Sequence, residues 1–410
     1  MIGGFEGVIL ILSDFEITVE KLVYGGEGLG RPEGRAVLAP FVLPGERVRL
    51  RGVAEKPGLV RAGLLEVLAA APERVAPQCP YFMRCGGCHY QHAPYEMQLA
   101  LKRGVLEDQL RRIGKIAPPE ITAVAGEPWS YRNRVQLHIA NGALGHREAQ
   151  SHKLCPIEQC PVASPAINAA IAILRDMLGD PRWPRFVRGI ELFTNETEIQ
   201  LNVLETERPV ARRFFDWCAE RIPGLVSGAL DYHAAGHNWR VSYGSFFQVN
   251  RFLIGELVET ALDGAEGQTA LDLYAGVGLF SLALAQRFAS VTAVESGARA
   301  AADLRCNAER AGLALRVEQT DAEAWMEQLE TAPDFVLLDP PRAGIGKRMA
   351  ARLGALRPPR LAIVSCDPAT LARDLAGLTA AGYLIDRLTL VDLFPQTYHL
   401  ETVARLSIPV

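Results

Sequence analysis

The chain has 410 residues, 49% of them hydrophobic, and a formal net charge of −4 at pH 7. This length and composition exclude a disordered or fibrous protein and allow two or three globular domains with full cores. The negative net charge argues against a generic nucleic-acid coat protein. It leaves RNA binding open, because that depends on where lysine and arginine lie rather than on their total.

The opening stretch, MIGGFEGVILILSDF, has a short apolar run without a basic segment or a small-residue cleavage site. No later stretch approaches the roughly 18 apolar residues of a membrane span. We therefore expect a cytoplasmic protein, in which the eight cysteines bind metal or react rather than form disulfides. Strand patterning begins near Phe15, so Met1 is open to question as the start.

Three patterns follow one another along the chain. Short strands with Gly and Pro turns from about residue 15 predict a small β-barrel over 1–72. Residues 73–240 are mixed α+β, with strands such as RVQLHIA and EIQLNVL and a helix at PAINAAIAILRDML. Strands TALDLYAG, SVTAVES, FVLLDPP and LAIVSCDP alternate with helices over 241–410. That last pattern predicts an α/β domain with a doubly wound, Rossmann-like parallel sheet.

The segment 95–115, PYEMQLALKRGVLEDQLRRIGKI with its flanks, predicts a helix rich in basic residues. It is either a solvated helix face, with Glu107 and Asp108 interspersed, or an RNA contact. The helix is also a candidate to pack on the C-terminal domain despite its early position. Its basic residues are Lys102, Arg103, Arg111, Arg112 and Lys115.

The stretch LDLYAGVGLFSLALA, residues 271–285, predicts a strand, a glycine turn and a helix. Gly276 and Gly278 would let a ligand approach the backbone and the helix N-terminus. Glu295, about twenty residues further on, could bind a ribose diol. Because Ser281 replaces the third glycine of a dinucleotide motif, S-adenosylmethionine fits at least as well as NAD, and an ordinary tight turn stays open. Asp321 and Asp339 follow the next apolar runs and are expected to face the cofactor.

Cys79, Cys85 and Cys88 lie together in CPYFMRCGGC. Their spacing lacks the paired C-x2-C units of a zinc ribbon, so a metal site needs a fourth ligand from elsewhere. KLCPIEQCPV offers two, Cys155 and Cys160. Four thiolates suit either zinc or an iron–sulfur cluster, and the spacing alone leaves both open.

Five strings occur in this order along the chain: FFQVN, DLYAGVGLF, LLDPPRAG, VSCDPATLARDL and DLFPQTYHLETV. Together they resemble the S-adenosylmethionine-dependent RNA uracil-5-methyltransferases. The N-terminal residues, with KLVYGGEGLG and LPGERV, resemble a TRAM domain, an RNA-binding β-barrel of the TRAM/OB-like type. The resemblance therefore extends through nearly the whole chain.

The chemistry of this family explains the reactive residues that the resemblance implies. Uracil C5 is a poor nucleophile, so a thiolate first adds to C6 and moves electron density onto C5. Cys366 matches this nucleophile, and we expect its strand-end position beside a helix start to lower the thiol pKa. Glu401 in HLETV matches the general base that removes the C5 proton. For Cys366 alone, a buried structural thiol is the alternative.

The resemblance also implies the cofactor contacts. Leu279 stands where some members carry Asn, so we leave it out of the predicted site. Asp367 and Arg373 either position the reactive loop or serve as a helix cap and an ion-pair residue. The implied cofactor-contacting residues are Gln248, Tyr274, Glu295, Asp321 and Asp339, beside Gly276 and Gly278.

The target uridine must leave its stack to expose C6, and aromatic side chains would hold it. Phe246, Phe247 and Phe394 are candidates, with a core role as the alternative for each. We expect RNA to be the partner, without an obligate protein partner, and the protein to be a monomer.

In the resembling family, three upstream cysteines and one distant cysteine before Pro-Val hold a [4Fe–4S] cluster. This implies Cys79, Cys85 and Cys88 with Cys160, and not Cys155. Methyl transfer consumes no electrons, so the cluster would be structural or position RNA. Other thiols, Cys155, Cys218 and Cys306, are then ordinary, and His89 and His92 are alternative ligands or polar surface residues.

The sequence thus predicts a methyltransferase acting on C5 of a specific uridine, with 23S rRNA favoured and tRNA as the alternative. One rival is an amino-group methyltransferase, with DPPR in place of a D-P-P-aromatic motif; Arg342, Cys366 and Glu401 count against it. The second rival is a non-catalytic RNA-binding protein, which the Cys366 and Glu401 pair disfavours.

Overall fold

The computed structural model describes residues 13–409. The predictions about Met1 and the opening stretch therefore lie outside the described residues, apart from its last three. The chain divides into two compact units. The first contains the described residues up to Val105 together with Pro395–His399, and the second contains Leu106–Phe394 and the described residues from Leu400 onward. The boundary near Val105 falls within helix α1, Tyr95–Gln109.

The first unit contains a six-stranded sheet in the order β1-β5-β6-β4-β3-β2. Alternate residues of these strands point inward and form a core that includes Val48, Leu50 and Val60. Gly28 is required here, because a Cβ at this position would lie 2.4 Å from Val42 Cγ2. The strands are β1 (Asp14–Thr18), β2 (Lys21–Leu22), β3 (Glu27–Gly30), β4 (Ala36–Pro40), β5 (Arg47–Lys56) and β6 (Leu59–Ala69).

After the end of α1, the first strand of the second unit is the short β7, Ile121–Val124, and a six-stranded sheet follows. That sheet has the order β10-β9-β8-β11-β12-β13 and is followed by the hairpin β14–β15. The elements are β8 (Arg134–Ala140), β9 (Ala143–Arg147), β10 (Leu154–Pro156), α2 (Pro165–Leu178), β11 (Val187–Thr194), β12 (Ile199–Thr206), α3 (Arg212–Arg221), β13 (Leu225–Val226), β14 (Leu230–Ala234) and β15 (His237–Val241).

The rest of the chain alternates strands and helices. The strands form an eight-stranded sheet with the order β18-β17-β16-β19-β20-β22-β21-β7. The elements are α4 (Ile254–Leu262), β16 (Gly267–Leu273), α5 (Leu279–Ala285), β17 (Phe288–Val294), α6 (Ala298–Arg310), β18 (Arg316–Glu318), α7 (Ala322–Gln328), β19 (Phe335–Leu338), α8 (Gly346–Leu356), β20 (Arg360–Ser365), α9 (Pro368–Ala380), β21 (Leu384–Val391) and β22 (Thr402–Ser407).

The prediction of a Rossmann-like parallel sheet is confirmed for β16 to β20, which pair in parallel. Two features differ from a purely parallel sheet. β22 runs antiparallel to both β20 and β21, and the sheet ends with β7, which comes from far upstream. Because the carboxyl ends of β16, β17, β19 and β20 meet at one edge, the residues after them share one site.

Two of the five basic residues of the 95–115 segment form ion pairs within it. Arg111 and Arg112 form ion pairs with Glu107 and Asp108 one turn earlier, and Lys102 is fully buried. These observations favour the solvated face over an RNA contact. The π-helical turn Leu110–Gly114 packs on α9, where a Cβ on Gly114 would lie 2.8 Å from the Ala372 carbonyl.

In the part of the chain that the structure describes, no helix is both long and apolar enough to cross a membrane.

Candidate active site

The pairing of β20 with β22 brings Cys366 and Glu401 together. Ser365 is the register partner of Thr402 in this antiparallel pair. Cys366 follows Ser365 and Glu401 precedes Thr402, so both lie just beyond the same end of the ladder. Cys366 is half-buried and Glu401 is 5% exposed. Two residues that are 35 positions apart thus meet because of strand register.

The surroundings of Cys366 raise its thiol pKa to about 11, first through burial and then through the Glu401 carboxylate. Arg342 acts in the opposite direction. The expectation of a lowered pKa was therefore wrong. Burial and the Glu401 carboxylate outweigh the effect of the helix start, whose Ala369 and Thr370 amides donate to the Asp367 cap, both at 2.9 Å. The cap occupies the amides that would otherwise stabilise the thiolate.

The Glu401 carboxyl also has a strongly perturbed pKa. Burial raises it well above the usual value, Asp339 adds to the increase, and Arg342 opposes it. A raised pKa makes a carboxylate a better proton acceptor near neutral pH. Arg342 is exposed and acts on both the nucleophile and the base. In the sequence, Arg342 stands out only because it replaces the aromatic residue of a D-P-P-aromatic motif.

The turn between β16 and α5 is built for close approach to the backbone. Gly276 has φ +57° with open space where a Cβ would stand, and Gly278 has φ +96°. Tyr274, which is not a glycine, has φ +65°. A bulky residue in this conformation is uncommon, and strained backbone positions cluster at active sites and ligand-binding turns. Leu279, which we left out of the predicted site, is buried in the core.

Glu295 binds the same turn from the end of β17. Its two carboxylate oxygens accept the amide N–H groups of Gly276 at 2.8 Å and Gly297 at 2.6 Å. Each oxygen keeps a further acceptor lone pair. The side chain is therefore held in place and could still accept both hydroxyls of a diol.

Asp272 was missed in the sequence analysis, although it lies in the DLYAG string. It is fully buried and accepts a hydrogen bond from Ser281, while Oδ1 has no hydrogen-bond partner among residues 13–409. Burial raises its pKa to about 7. An unsatisfied carboxylate oxygen beside the glycine turn fits a cationic or donor-rich ligand such as S-adenosylmethionine.

The other predicted acidic residues occupy different positions. Asp339 is half-buried after β19, and burial raises its pKa to about 7. Asp321 is exposed and caps α7, accepting the amides of Glu323 and Ala324 at 2.9 and 3.1 Å. Its charge contributes to the raised pKa of Tyr274, about 12, whose first cause is burial.

Gln248 is buried in the segment Phe246–Asn250, and its carbonyl accepts the Asn133 side-chain amide at 3.0 Å. Of the aromatic candidates, Phe247 is a core residue that packs on Tyr232 and is only 2% exposed. Phe246 is 61% exposed. Phe394 is half-buried, with the Arg132 guanidinium 5.9 Å from its ring. Phe246 is thus open to a base, whereas Phe394 packs partly against the hydrophobic core.

Helix α9 also holds the loop that follows Asp339. Asp374 accepts the Ile345 amide at 2.9 Å, and Arg373 donates to the Ala343 carbonyl at 2.7 Å. Thr370 donates to the Arg342 carbonyl at 3.2 Å. These contacts distinguish the two roles considered for Asp367 and Arg373, which flank Cys366 in the sequence. Asp367 is a helix cap, and Arg373 positions the loop of Arg342.

The upstream cysteines lie on a loop of the first unit. Cys79, Cys85 and Cys88 are half-buried, and the Gly87 amide lies 3.4 Å from Cys85 Sγ. No group of three or more His, Cys, Asp or Glu side chains among the described residues is arranged to hold a metal ion. His92 is buried rather than a surface residue.

Cys160 lies in the second unit and is held by Asn168, which accepts its amide at 2.8 Å. Cys155 is fully buried in β10. A buried strand position suits an ordinary core thiol, as the sequence analysis expects for Cys155.

The fold and the turn after β16 define the class. A parallel sheet with a glycine turn after one strand and acidic side chains after its neighbours is typical of S-adenosylmethionine-dependent methyltransferases. The family model "tRNA (Uracil-5-)-methyltransferase" matches residues 326–407, which include Asp339, Cys366 and Glu401. A second model, "Conserved hypothetical protein 95", matches residues 255–364.

Relatives match over nearly the whole chain. A 23S rRNA (uracil(1939)-C(5))-methyltransferase of Chromohalobacter salexigens is 36% identical, covering 95% of this chain and 89% of that protein. An uncharacterized RNA methyltransferase of Streptomyces avermitilis is 35% identical, covering 96% and 98%. The crystal structure of Pyrococcus abyssi tRNA (uracil-54, C5)-methyltransferase with S-adenosyl-L-homocysteine matches with TM-score 0.75 and 26% identity, covering 96% and 100%. The chain belongs to the RNA uracil-5-methyltransferase family, which confirms the predicted resemblance.

Proposed function

We propose that this enzyme methylates C5 of a uridine in 23S rRNA, with Cys366 as nucleophile and Glu401 as general base. The observation that carries the proposal is the β20–β22 register, which sets these two side chains side by side at a strand end. The relative that acts on 23S rRNA and covers most of the chain supports the substrate class.

In the proposed reaction, bound S-adenosylmethionine supplies an electrophilic methyl group. The Cys366 thiolate would form a bond to C6 of uracil, and the π electron pair of the C5–C6 double bond would move to C5. C5 would then take the methyl group, while the electron pair of the broken S–CH3 bond stays on the sulfur of the departing S-adenosylhomocysteine. Glu401 then accepts the C5 proton. The electrons of that C–H bond restore the C5–C6 double bond as the Cys366–C6 bond breaks, so the thiolate is regenerated.

The protein supplies position and charge for these steps. Asp272, with its unsatisfied buried oxygen, and Glu295, held by two amides, would contact the cofactor. Arg342 favours the ionised forms of Cys366 and Glu401. Even with Arg342 present, the Cys366 pKa of about 11 keeps most of the thiol protonated near neutral pH, so Arg342 increases the thiolate fraction without making it the main form.

The test is to incubate the protein with labelled S-adenosylmethionine and either 23S rRNA or bulk tRNA, digest the RNA, and identify the labelled nucleoside. We expect 5-methyluridine from rRNA. An N-methylated base would support the amino-group rival instead. Absence of label with both RNAs, from protein that binds S-adenosylmethionine, would contradict the proposal.

A tRNA substrate is the second candidate. It is favoured by the description of the family model and by the name of the Pyrococcus abyssi enzyme. The chemistry at Cys366 and Glu401 would be the same. Label that appears in tRNA and not in 23S rRNA would establish this alternative.

We further propose that Cys79, Cys85, Cys88 and Cys160 hold a [4Fe–4S] cluster. The donor chemistry supports it, because thiolates are the ligands of such clusters. The Gly87 amide near Cys85 Sγ would stabilise a bound thiolate. Since methyl transfer moves no net electrons, the cluster would organise its surroundings rather than react.

The proposed ligand set can be tested by measuring the iron content of two variants, Cys160→Ser and Cys155→Ser. Cys155→Ser is the matched control. We expect iron to be lost from the first variant and retained in the second. Equal iron in both would exclude Cys160.

We also propose that the chain is organised as a TRAM barrel over residues 1–72, a cysteine-containing central domain over 73–240 and the methyltransferase domain over 241–410. The six-stranded sheet that ends at Ala69 supports the first of these. Because the proposed substrate is ribosomal RNA, we expect the enzyme to work in the cytoplasm.

A further inference from the structure

A groove of about 880 Å³ opens in the second unit beside helix α3. It is lined by the loop after α2, by the segment after β12 and by one side of α3, and we call it the α3 groove. Five of its lining residues are arginines and one is a glutamate. On a chain with a net charge of −4, this is a concentrated positive surface.

Not all of these arginines are engaged within the protein. Arg188 pairs with Glu207 at 3.0 Å, and Arg182 pairs with Asp180 at 2.7 Å. The other three, Arg185, Arg208 and Arg213, are exposed and have no carboxylate at ion-pair distance among residues 13–409. Three cationic side chains are therefore available to an anionic ligand.

Aromatic rings lie among the arginines. The Arg208 guanidinium is 4.2 Å from the Phe186 ring centroid, and that of Arg182 is 4.6 Å from Trp217. Trp183 packs edge-on against Phe214 at 5.3 Å. Alternating cationic and aromatic groups in a concave surface match the phosphates and exposed bases of single-stranded nucleic acid.

Two buried indole groups add an independent observation. Trp183 and Trp217 are 5% and 6% exposed, and neither Nε1–H finds an acceptor among the described residues. A buried donor without an acceptor is costly unless a ligand or water satisfies it. Both residues line the groove, so a ligand rich in acceptor oxygens, such as an RNA backbone, would supply what is missing.

We propose that the α3 groove binds a single-stranded segment of the substrate RNA, separately from the reactive centre at Cys366. The proposal rests on the proposed function to the extent that the substrate is RNA. It accounts for how a chain of negative net charge holds RNA even though the basic residues Arg111 and Arg112 of the 95–115 segment are paired internally. Arginines would contact phosphates, while the half-buried ring of Phe186 would contact a base.

The test compares two charge-matched variants of the full chain by fluorescence anisotropy with a labelled single-stranded oligouridylate. Arg208→Ala/Arg213→Ala removes two groove arginines. Arg175→Ala/Arg212→Ala removes the same charge from side chains outside the groove, and Arg212 is the neighbour of Arg213 on α3. We expect the groove variant to raise Kd on the order of tenfold at low salt, and the control to stay near wild type.

The salt dependence of RNA binding distinguishes direct phosphate contacts of the groove arginines from long-range electrostatic attraction. Between about 50 and 200 mM salt, the slope of log K against log salt should fall by about 0.7 for each lost phosphate contact with single strands. In the methylation assay with 23S rRNA, the groove variant should raise KM and leave kcat unchanged. Equal loss of affinity and slope in both variants, or no loss in either, would overturn the proposal.

Trp217→Phe provides a second variant that keeps the ring and removes the N–H. If RNA satisfies this donor, affinity should fall a few-fold with the fold intact; unchanged affinity would contradict that contact.

The outcomes also separate the two proposals. RNA affinity lost in the groove variant of a protein that makes no 5-methyluridine would support the groove and reject the function. If the enzyme makes 5-methyluridine but the groove variant binds RNA with wild-type affinity, the proposed function would stand and the groove proposal would be rejected.

Discussion

Gly344→Ala tests whether α9 positions the loop that carries Arg342. Gly344 has φ +73°, and a Cβ there would lie 2.2 Å from Asp374 Oδ2 and 2.7 Å from Arg373 Nη2. Both side chains hold the loop, through the Ile345 amide and the Ala343 carbonyl. The substitution therefore adds backbone strain and also displaces two charged hydrogen-bonding groups.

The expected loss of folding stability is the sum of a backbone contribution and a hydrogen-bond contribution. A left-handed conformation costs a non-glycine residue about 1–2 kcal/mol. Loss of one charge-assisted hydrogen bond adds about 1.5–3 kcal/mol. We expect a total destabilisation of about 2.5–5 kcal/mol if the loop stays in place. If it moves instead, Arg342 moves with it, and each unit by which the Cys366 pKa then rises slows thiolate attack about tenfold at neutral pH.

The assay pairs urea unfolding with single-turnover methyl transfer. Gly346→Ala is the matched control, because Gly346 lies two residues further on, at the start of α8, with φ +76° and nothing within 4 Å of its added Cβ. The control should lose only about 1–2 kcal/mol and keep its rate. Equal stability and equal rates in the two variants would refute the positioning argument.

Three further changes address the charges of the site. Glu401→Gln should lower turnover by about 10²–10⁴ while RNA adducts through Cys366 still form, as seen on denaturing gels; turnover near wild type would reject the base. Arg342→Gln removes the cation that lowers the Cys366 pKa, so single-turnover rates should fall at neutral pH and recover as pH rises; an unshifted pH profile would exclude this role. Burial raises the pKa of Asp272 in the folded protein to about 7. The folded protein therefore keeps a proton on Asp272 that the unfolded chain loses near pH 3.9. As a result, the free energy of unfolding falls as pH rises between these two values. Urea unfolding should therefore find Asp272→Asn more stable than wild type at pH 8, with the difference fading toward pH 4, whereas a pH-independent difference would contradict the burial argument.

The sequence predicted most of the catalytic domain because its strands are apolar runs that end in short motifs. Cys366 and Glu401 could be paired from the family resemblance, and the β20–β22 register gives that pairing a physical cause. The sheet edge at β7 could not be predicted. Ile121–Val124 is too short to stand out from its neighbours, and it joins the sheet only through pairing with a distant strand.

The electrostatics of the site were the weakest part of the prediction. The helix start after Cys366 suggested a lowered thiol pKa, but the sequence does not reveal that Asp367 occupies the amides or that Glu401 and Asp339 add negative charge. Asp272 was overlooked for a related reason. Its burial and its unsatisfied oxygen are properties of the packed site and leave no separate sequence signal.

The α3 groove shows the same limit for surfaces. Arg185, Arg208 and Arg213 come from two loops and a helix, and no local run of basic residues marks them. The basic run that does stand out in the sequence, around Arg111, is largely paired within its own helix. Total charge and local basic runs therefore do not reveal the arginines that line the α3 groove.

Covalent trapping tests the central claim most directly. RNA that carries 5-fluorouridine at the target has no C5 proton to lose, so the Cys366–C6 bond formed during methyl transfer should persist as a complex stable to denaturation. We predict this complex for the wild type and for Cys306→Ala, which removes another half-buried thiol, and none for Cys366→Ala. Undiminished trapping in Cys366→Ala would contradict the assignment of Cys366 as the nucleophile.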